Sequence, residues 1–188
     1  IKNGRISHAQ LFIGNEGCGV LPMAIAYAQY ILCSTSSDKE SCSLKCSKLT
    51  HPDLHFAFPV TTTNSVKKHP VSNLFINEWR NFIATNPYGN LFEWLQVLGV
   101  ENKQGLIGVD EADEIVKALK LKAYEGGFKV MIIWMAEKMN NAAANKLLKL
   151  LEEPPEKTVF LLVAEKEEQL IATIKSRCQI LQFSALSE

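Results

Sequence analysis

Gly14-Asn15-Glu16-Gly17-Cys18-Gly19-Val20-Leu21 is the stretch whose reading decides the fold. Its glycines stand where a phosphate-binding loop of pattern GxxxxGK followed by Ser or Thr needs them, so that backbone amides can turn inward around an anion. The chemistry of such a loop is missing. The lysine that would reach the outer phosphates is replaced by Val20, and the hydroxyl that would hold magnesium by Leu21. The context still fits: Ala9-Gln10-Leu11-Phe12-Ile13 reads as a short apolar strand, and residues 20 to 33 as a helix of Ala, Ile, Tyr and Leu. Gly14, Gly17, Gly19, Val20 and Leu21 therefore mark a degenerate nucleotide loop.

Working outward, strands alternate with helices at spacings that favour a parallel sheet covered on both faces. Strands are expected near 9 to 14, 53 to 58, 129 to 134, 158 to 164 and 179 to 183. Helices are expected near 20 to 33, 72 to 85, 90 to 98, 109 to 124, 140 to 152 and 167 to 176. The 140 to 152 helix has a start signal in Asn140 or Asn141 and a stop in Pro154-Pro155, which cannot donate the next backbone bonds. A polar, cysteine-bearing insertion at 34 to 50 and a Thr, Asn and Lys run at 61 to 69 break the rhythm. The second is expected to be a mobile loop.

The 188 residues are 47% apolar, enough to build one large α/β unit with a real core. Twenty basic and twenty acidic residues balance, so the whole-chain charge announces neither nucleic acid nor membrane as a partner. With no apolar run near 20 residues and no signal-peptide layout, a soluble, cytoplasmic protein is expected. The chain opens without Met almost at its first strand and stops at Leu186-Ser187-Glu188. We expect it to be a piece of a longer protein.

The tract Lys129-Val130-Met131-Ile132-Ile133-Trp134-Met135-Ala136-Glu137-Lys138-Met139, continued by Asn140-Asn141-Ala142-Ala143-Ala144-Asn145 and Glu152-Glu153-Pro154-Pro155, carries a family resemblance, together with Ser176-Arg177-Cys178 and the opening Arg5-Ile6-Ser7-His8-Ala9. It resembles the AAA+ module of bacterial clamp-loader subunits, and within that family the delta prime type of DNA polymerase III. The resemblance spans nearly the whole chain. It implies a three-layer P-loop domain with a five-stranded, mainly parallel sheet, over residues 1 to 188, with the lid and collar domains lying outside the chain. It also implies gamma or tau and delta subunits as partners, primed DNA within the assembled complex, and Arg177 reaching into the ATP site of a neighbouring subunit.

Hydrolysis in such a domain needs a second motif, a buried strand ending in Asp-Glu that binds magnesium and activates water. Here Val130-Met131-Ile132-Ile133 ends in Trp134-Met135, and the nearest acid, Glu137, lies beyond the strand. Four positions needed for phosphate and magnesium are thus replaced, and neither ATP turnover nor more than weak nucleotide binding is expected. Asp110-Glu111 follows an apolar stretch as well, but the helical spacing of Ala112, Ile115, Val116 and Leu119 makes Asp110 a helix cap rather than a catalytic acid.

Of five cysteines, Cys33, Cys42 and Cys46 share the polar insertion. The related subunits carry a zinc module of four cysteines spaced x8, x2 and x2. Cys33-x8-Cys42 matches the first interval; Cys46 then follows at x3, and no fourth Cys appears. His51 or Asp38 could complete a zinc site, since zinc takes thiolates readily and wants four ligands. The other reading is a decayed site with free thiols in a reducing cytosol.

Without the resemblance, one Arg at a helix end would be a surface cation serving the helix C-terminus. Cys178 reads as a small packing residue, with no His beside it in sequence to activate it. Trp79, Phe82, Phe92 and Trp94 read as core or helix packing, because no basic residues interleave with them. Lys67-Lys68-His69 reads as a solvated loop. Two rival functions remain: an ATP-hydrolysing gamma or tau type subunit, and a nucleic-acid-binding module built on the cysteine cluster.

Overall fold

The computed structural model describes residues 6–125 and 127–184. Arg5 of the opening motif and the closing Leu186-Ser187-Glu188 lie outside them. Five strands form one sheet: β1 (Ala9–Gly14), β2 (Leu54–Ala57), β3 (Lys129–Trp134), β4 (Thr158–Ala164) and β5 (Gln179–Phe183), in the order β2-β3-β4-β1-β5. Every adjacent pair is parallel; Leu11 lies opposite Leu162 and Ile180, and Ile132 lies opposite Phe56 and Leu161. The central strands β1, β3 and β4 are buried along their whole length. They read as nearly continuous apolar runs because both faces are covered.

Helices α1 (Val20–Ser34), α2 (Lys39–Ser47), α3 (Ile76–Thr85), α4 (Leu91–Val97), α5 (Val109–Lys120), α6 (Asn141–Glu152) and α7 (Ala172–Lys175) complete the layers. Alternate strand residues feed two cores, as the two-residue pleat requires. Phe12, Phe56, Ile132, Trp134 and Leu161 pack with α1, α3 and the aromatic rings on one face. Leu11, Ile13, Met131, Ile133 and Leu162 pack with α5 and α6 on the other. The result is the expected three-layer α/β architecture.

Helix ends follow local chemistry. Asn140 caps α6 by accepting from the Ala143 N–H at 2.8 Å, and Glu153, the residue before Pro154, has left helical geometry at φ −129°, ψ 73°. At the same end His8 Nε2 lies 3.1 Å from the Leu151 carbonyl, so part of the opening motif serves to close α6.

Three expectations change. The insertion at 34–50 contains α2, capped by Asp38, whose Oδ1 accepts from the Ser41 N–H at 3.0 Å. Helix α5 stops at Lys120 rather than 124, because Leu121 turns extended and Lys129 Nζ donates to the carbonyls of Leu119 and Leu121. The 167–176 helix splits into a 3₁₀ turn at Glu167–Gln169 and the single turn α7. Residues 61–69 stay irregular, and Thr63 and Val66 are joined by hydrogen bonds within the loop.

Candidate functional site

The loop after β1 keeps the shape its glycines foretell. Gly17 and Gly19 sit at φ +80° and +81°, a region that side chains with a Cβ rarely enter. Gly14 is fixed by space: a Cβ there would stand 2.5 Å from Cys18 Sγ and 2.7 Å from Val20 Cγ2. Gly19 opens α1 without a side-chain cap, so the first amides of the helix face the loop, as they would toward an anion.

The surroundings of these amides are largely apolar. Val20 and Leu21 are buried and belong to the core beneath the loop. Tyr88 lies over the loop's far side, its Cε1 3.1 Å from where a Gly19 Cβ would be. Gly14, Gly17, Gly19, Tyr88, Trp134 and Glu165 help to enclose a cavity of about 30 Å³, with no lysine or arginine among the residues lining it. The one charged residue lining it is Glu165. Glu165 is pushed up to about 7 by burial, then by Glu137 and Glu16, and Glu16 accepts from Asn90 Nδ2 at 2.6 Å.

Beyond β3, the two positions where Asp-Glu would stand are taken into the core. Trp134 is 3% exposed, and its ring centroid lies 5.1 Å from Trp79 and 6.2 Å from Phe82. Phe58 stacks on Trp79 at 4.2 Å, and Trp94 meets it edge-on at 5.3 Å. Trp79, Phe82 and Trp94 are therefore packing residues, as expected. Phe92 is not: it is exposed, because α4 buries only Trp94 and Leu95. Met135 is buried with a left-handed backbone at φ +56°. Glu137 points back under the sheet edge, where its Oε1 accepts from the N–H groups of Glu165 and Lys166 at 3.0 and 3.4 Å. Its Oε2 is buried without a partner among the described residues, and burial raises its pKa. This carboxylate ties the ends of β3 and β4 together.

Asp110 and Glu111 lie in the first turn of α5, as the helical spacing predicts. Asp110 is not the cap, however, since that position belongs to Gly108; its Oδ2 pairs with His69 Nδ1 at 2.9 Å, on the exposed surface. Lys67 and Lys68 are exposed beside that histidine. Glu111 is buried and accepts from the Ser72 N–H at 2.6 Å. Neither acid lines the cavity below the loop.

The three cysteines of the insertion do come together. Cys42 and Cys46, one helical turn apart on α2, face Cys33 on α1, and all three sulfur atoms lie within 4.8 Å of one another. Cys33 and Cys42 are joined as a disulfide, with Cys46 Sγ 4.0 Å from Cys33 Sγ. The thiol of Cys46 is pushed up to about 11 by burial. Neither expected fourth ligand is nearby: Asp38 caps α2, while His51 Nδ1 accepts from the Asp53 N–H at 3.1 Å and its Nε2 stands 3.3 Å from Glu125. In this state the residues do not fit a closed zinc site, because a disulfide supplies no thiolates and a fourth donor is missing among the described residues.

His51 and Asp53 act instead on the chain before β3. The buried Asp53 carboxylate accepts from the N–H groups of Tyr124 and Glu125 at 2.7 and 3.0 Å, and Glu125 also pairs with Lys45 of α2 at 2.6 Å. Sequence spacing offers no signal for a contact spanning some seventy residues.

Arg177 follows α7 and is partly exposed. Its Nε donates to Glu152 Oε1 at 2.6 Å, its Nη2 faces the same oxygen, and its Nη1 donates to the Thr173 carbonyl at 2.9 Å and to Ser176 Oγ at 3.2 Å. Cys178 packs against the core beside it, and burial pushes its thiol up to about 11. That suits the packing role expected for it. Among the described residues, no helix is long and apolar enough to cross a membrane.

A family model described as DNA polymerase III, delta subunit, matches residues 1–187. The chain is 31% identical over 186 residues to DNA polymerase III subunit delta' of Haemophilus influenzae, covering 96% of this chain and 44% of that protein. It is 32% identical over 192 residues to the delta' subunit of Bacillus subtilis, covering 99% and 45%. A tau/gamma subunit of Haemophilus influenzae is 26% identical over 188 residues, covering 100% of this chain and 22% of that protein. The chain thus spans less than half the length of these relatives. With the matched region running from end to end and the glycine loop intact in shape, the chain belongs to the DNA polymerase III delta-subunit family, alongside the delta' subunits.

Proposed function

We propose that this chain is the AAA+ module of a clamp-loader subunit that hydrolyses no ATP itself and acts on a neighbour's nucleotide through Arg177. The observation that carries the reading is the small cleft beneath the glycine loop. About 30 Å³ has room for a water or two, against roughly 300–1,000 Å³ in a ligand pocket, and the one charged side chain lining it, Glu165, is acidic. Val20, Leu21 and Trp134 belong to the core, so the amides that remain offer anion contacts without the charge that holds a triphosphate.

Arg177 supplies the other half. A guanidinium at a subunit edge can stabilise charge building on a transferred phosphoryl group in an adjacent site, an effect worth roughly 10³ to 10⁵ in rate. The partners in this reading are the ATP-hydrolysing gamma or tau subunits and the delta subunit, working on a sliding clamp and primed DNA in the cytoplasm. The lid and collar would come from the remainder of the longer protein. A zinc ion, in this reading, belongs only to the reduced chain. Cys33, Cys42 and Cys46 would hold it, and it would fasten α2 to α1.

The test is steady-state ATP turnover. The isolated chain should show none that requires magnesium. In a complex reconstituted with full-length partners, clamp and primed DNA, Arg177→Ala should assemble normally, since a surface ion pair such as the one it makes with Glu152 contributes little to stability. Turnover should nevertheless fall, and Arg177→Lys should restore it poorly because an ammonium lacks the planar fork. Parental turnover by an assembled Arg177→Ala complex would remove the trans role. Turnover by the isolated chain would instead favour the ATP-hydrolysing gamma or tau type.

A further inference from the structure

We infer that Glu152 is the positioning residue for Arg177, a role that rests on the trans reading above. Glu152 is the last residue of α6. A carboxylate there meets the negative end of the helix dipole, where a cation would be favoured and an acid is not. What it gains is Arg177, 25 residues on, whose Nε donates to its Oε1 at 2.6 Å while Nη2 faces the same oxygen. Across the guanidinium plane, Nη1 is engaged by the Thr173 carbonyl and Ser176 Oγ.

Counted against the five N–H donors of an arginine, this leaves one direction free, on Nη2. The side chain is long and would otherwise sample many rotamers at the end of a one-turn helix. Held from both edges, it presents a single donor and a fixed charge. Preorganisation of this kind is what makes a group useful to a transition state, since the group need not reorganise when charge develops. The side chains of Arg177 and Glu152 are 29% and 48% exposed, so the free donor can reach another chain. The Glu-Glu-Pro-Pro stop supplies the geometry: Pro154 ends α6 so that Glu152 falls opposite the turn carrying Arg177.

The experiment uses the full-length subunit in the reconstituted complex with clamp and primed DNA, reading kcat and KM for ATP and the extent of assembly. Glu152→Ala should lower kcat by about 10-fold, the lower end of what removing a supporting partner costs, with KM for ATP within about two-fold and assembly unchanged. Glu152→Gln keeps an oxygen for the Nε–H and should recover most of the rate. The double variant Glu152→Ala, Arg177→Ala should be no slower than Arg177→Ala alone, because Glu152 acts only through the arginine. A parental kcat for Glu152→Ala, in a complex where Arg177→Ala is strongly impaired, would overturn the inference and leave the reading of Arg177 standing. A double variant slower than Arg177→Ala would also overturn it. If Arg177→Ala itself runs at the parental rate, the trans reading fails and this inference with it.

Discussion

Placing an aspartate where the degenerate site lacks one, Trp134→Asp, should damage the fold before it could help the chemistry. Trp134 is 3% exposed at the end of β3 and packs among Trp79 and Phe82. Truncating a buried Trp costs about 3–5 kcal/mol through lost transfer energy and the cavity left behind. The new carboxylate would face aromatic carbon with no donor beside it, adding on the order of 1–3 kcal/mol or more unless it takes up a proton. The total, roughly 4–8 kcal/mol, rivals the 5–15 kcal/mol that holds a typical domain together. Trp134→Phe, which keeps a ring in the cluster, should cost about 1–2 kcal/mol. Urea unfolding followed by far-ultraviolet circular dichroism avoids the lost fluorophore. If Trp134→Asp unfolds within about 1 kcal/mol of the parent, the position has not been absorbed into the core. The steric argument against nucleotide binding would then lose its main support.

Glu111, buried at the start of α5 and pushed from 4.5 up to about 7 by burial, sets a pH dependence. The folded chain holds this proton more tightly than the unfolded one, so its contribution to stability falls as pH rises from about 4.5 to about 7 and is level above. At 1.36 kcal/mol per pH unit the fall is at most about 3 kcal/mol. Glu111→Gln should therefore flatten that part of the profile and be the more stable form at pH 8, with Glu165 leaving a residual slope of the same sign; an unchanged slope in urea unfolding across pH 5 to 8 would contradict it. In the insertion, denatured but unreduced protein should titrate as three thiols, Cys18, Cys46 and Cys178, and reduction should raise the count to all five. Zinc retained by the unreduced form would refute the disulfide as the state that excludes metal, whereas zinc bound after reduction should be lost in Cys46→Ser.

The elements legible in the sequence are those whose signals are local. Asn140 and Pro154 bracket α6 as capping and backbone chemistry demand, and the five apolar runs became five strands at their expected places. Helix α2 escaped because Lys39-Glu40-Ser41-Cys42-Ser43-Leu44-Lys45-Cys46-Ser47 carries almost no apolar stripe. Its signals were Asp38 at the cap and two cysteines four residues apart, a helical spacing that looks like metal spacing when read for ligands alone. The end of α5 was misplaced because Lys129 of a distant strand captures its last carbonyls. The surface position of Phe92 was hidden because a seven-residue helix buries a narrower stripe than its sequence offers.

At the site, sequence revealed absences and structure revealed what replaced them. A missing lysine, hydroxyl and acid pair can be read from Val20, Leu21, Trp134 and Met135, yet absence alone leaves an open cleft that some other ligand might enter. Tyr88 over Gly19 and Trp134 in its ring cluster line that cleft and leave it small, and both are tertiary contacts between segments far apart in the chain. The same holds for Arg177, which as a tripeptide motif could serve either its own helix or a neighbour. It does the first through the Thr173 carbonyl and is fixed by Glu152 with one donor still free. In the reading proposed above, where Arg177 acts on a phosphate bound by a neighbour, the contacts with Glu152 and the Thr173 carbonyl are what hold its guanidinium still.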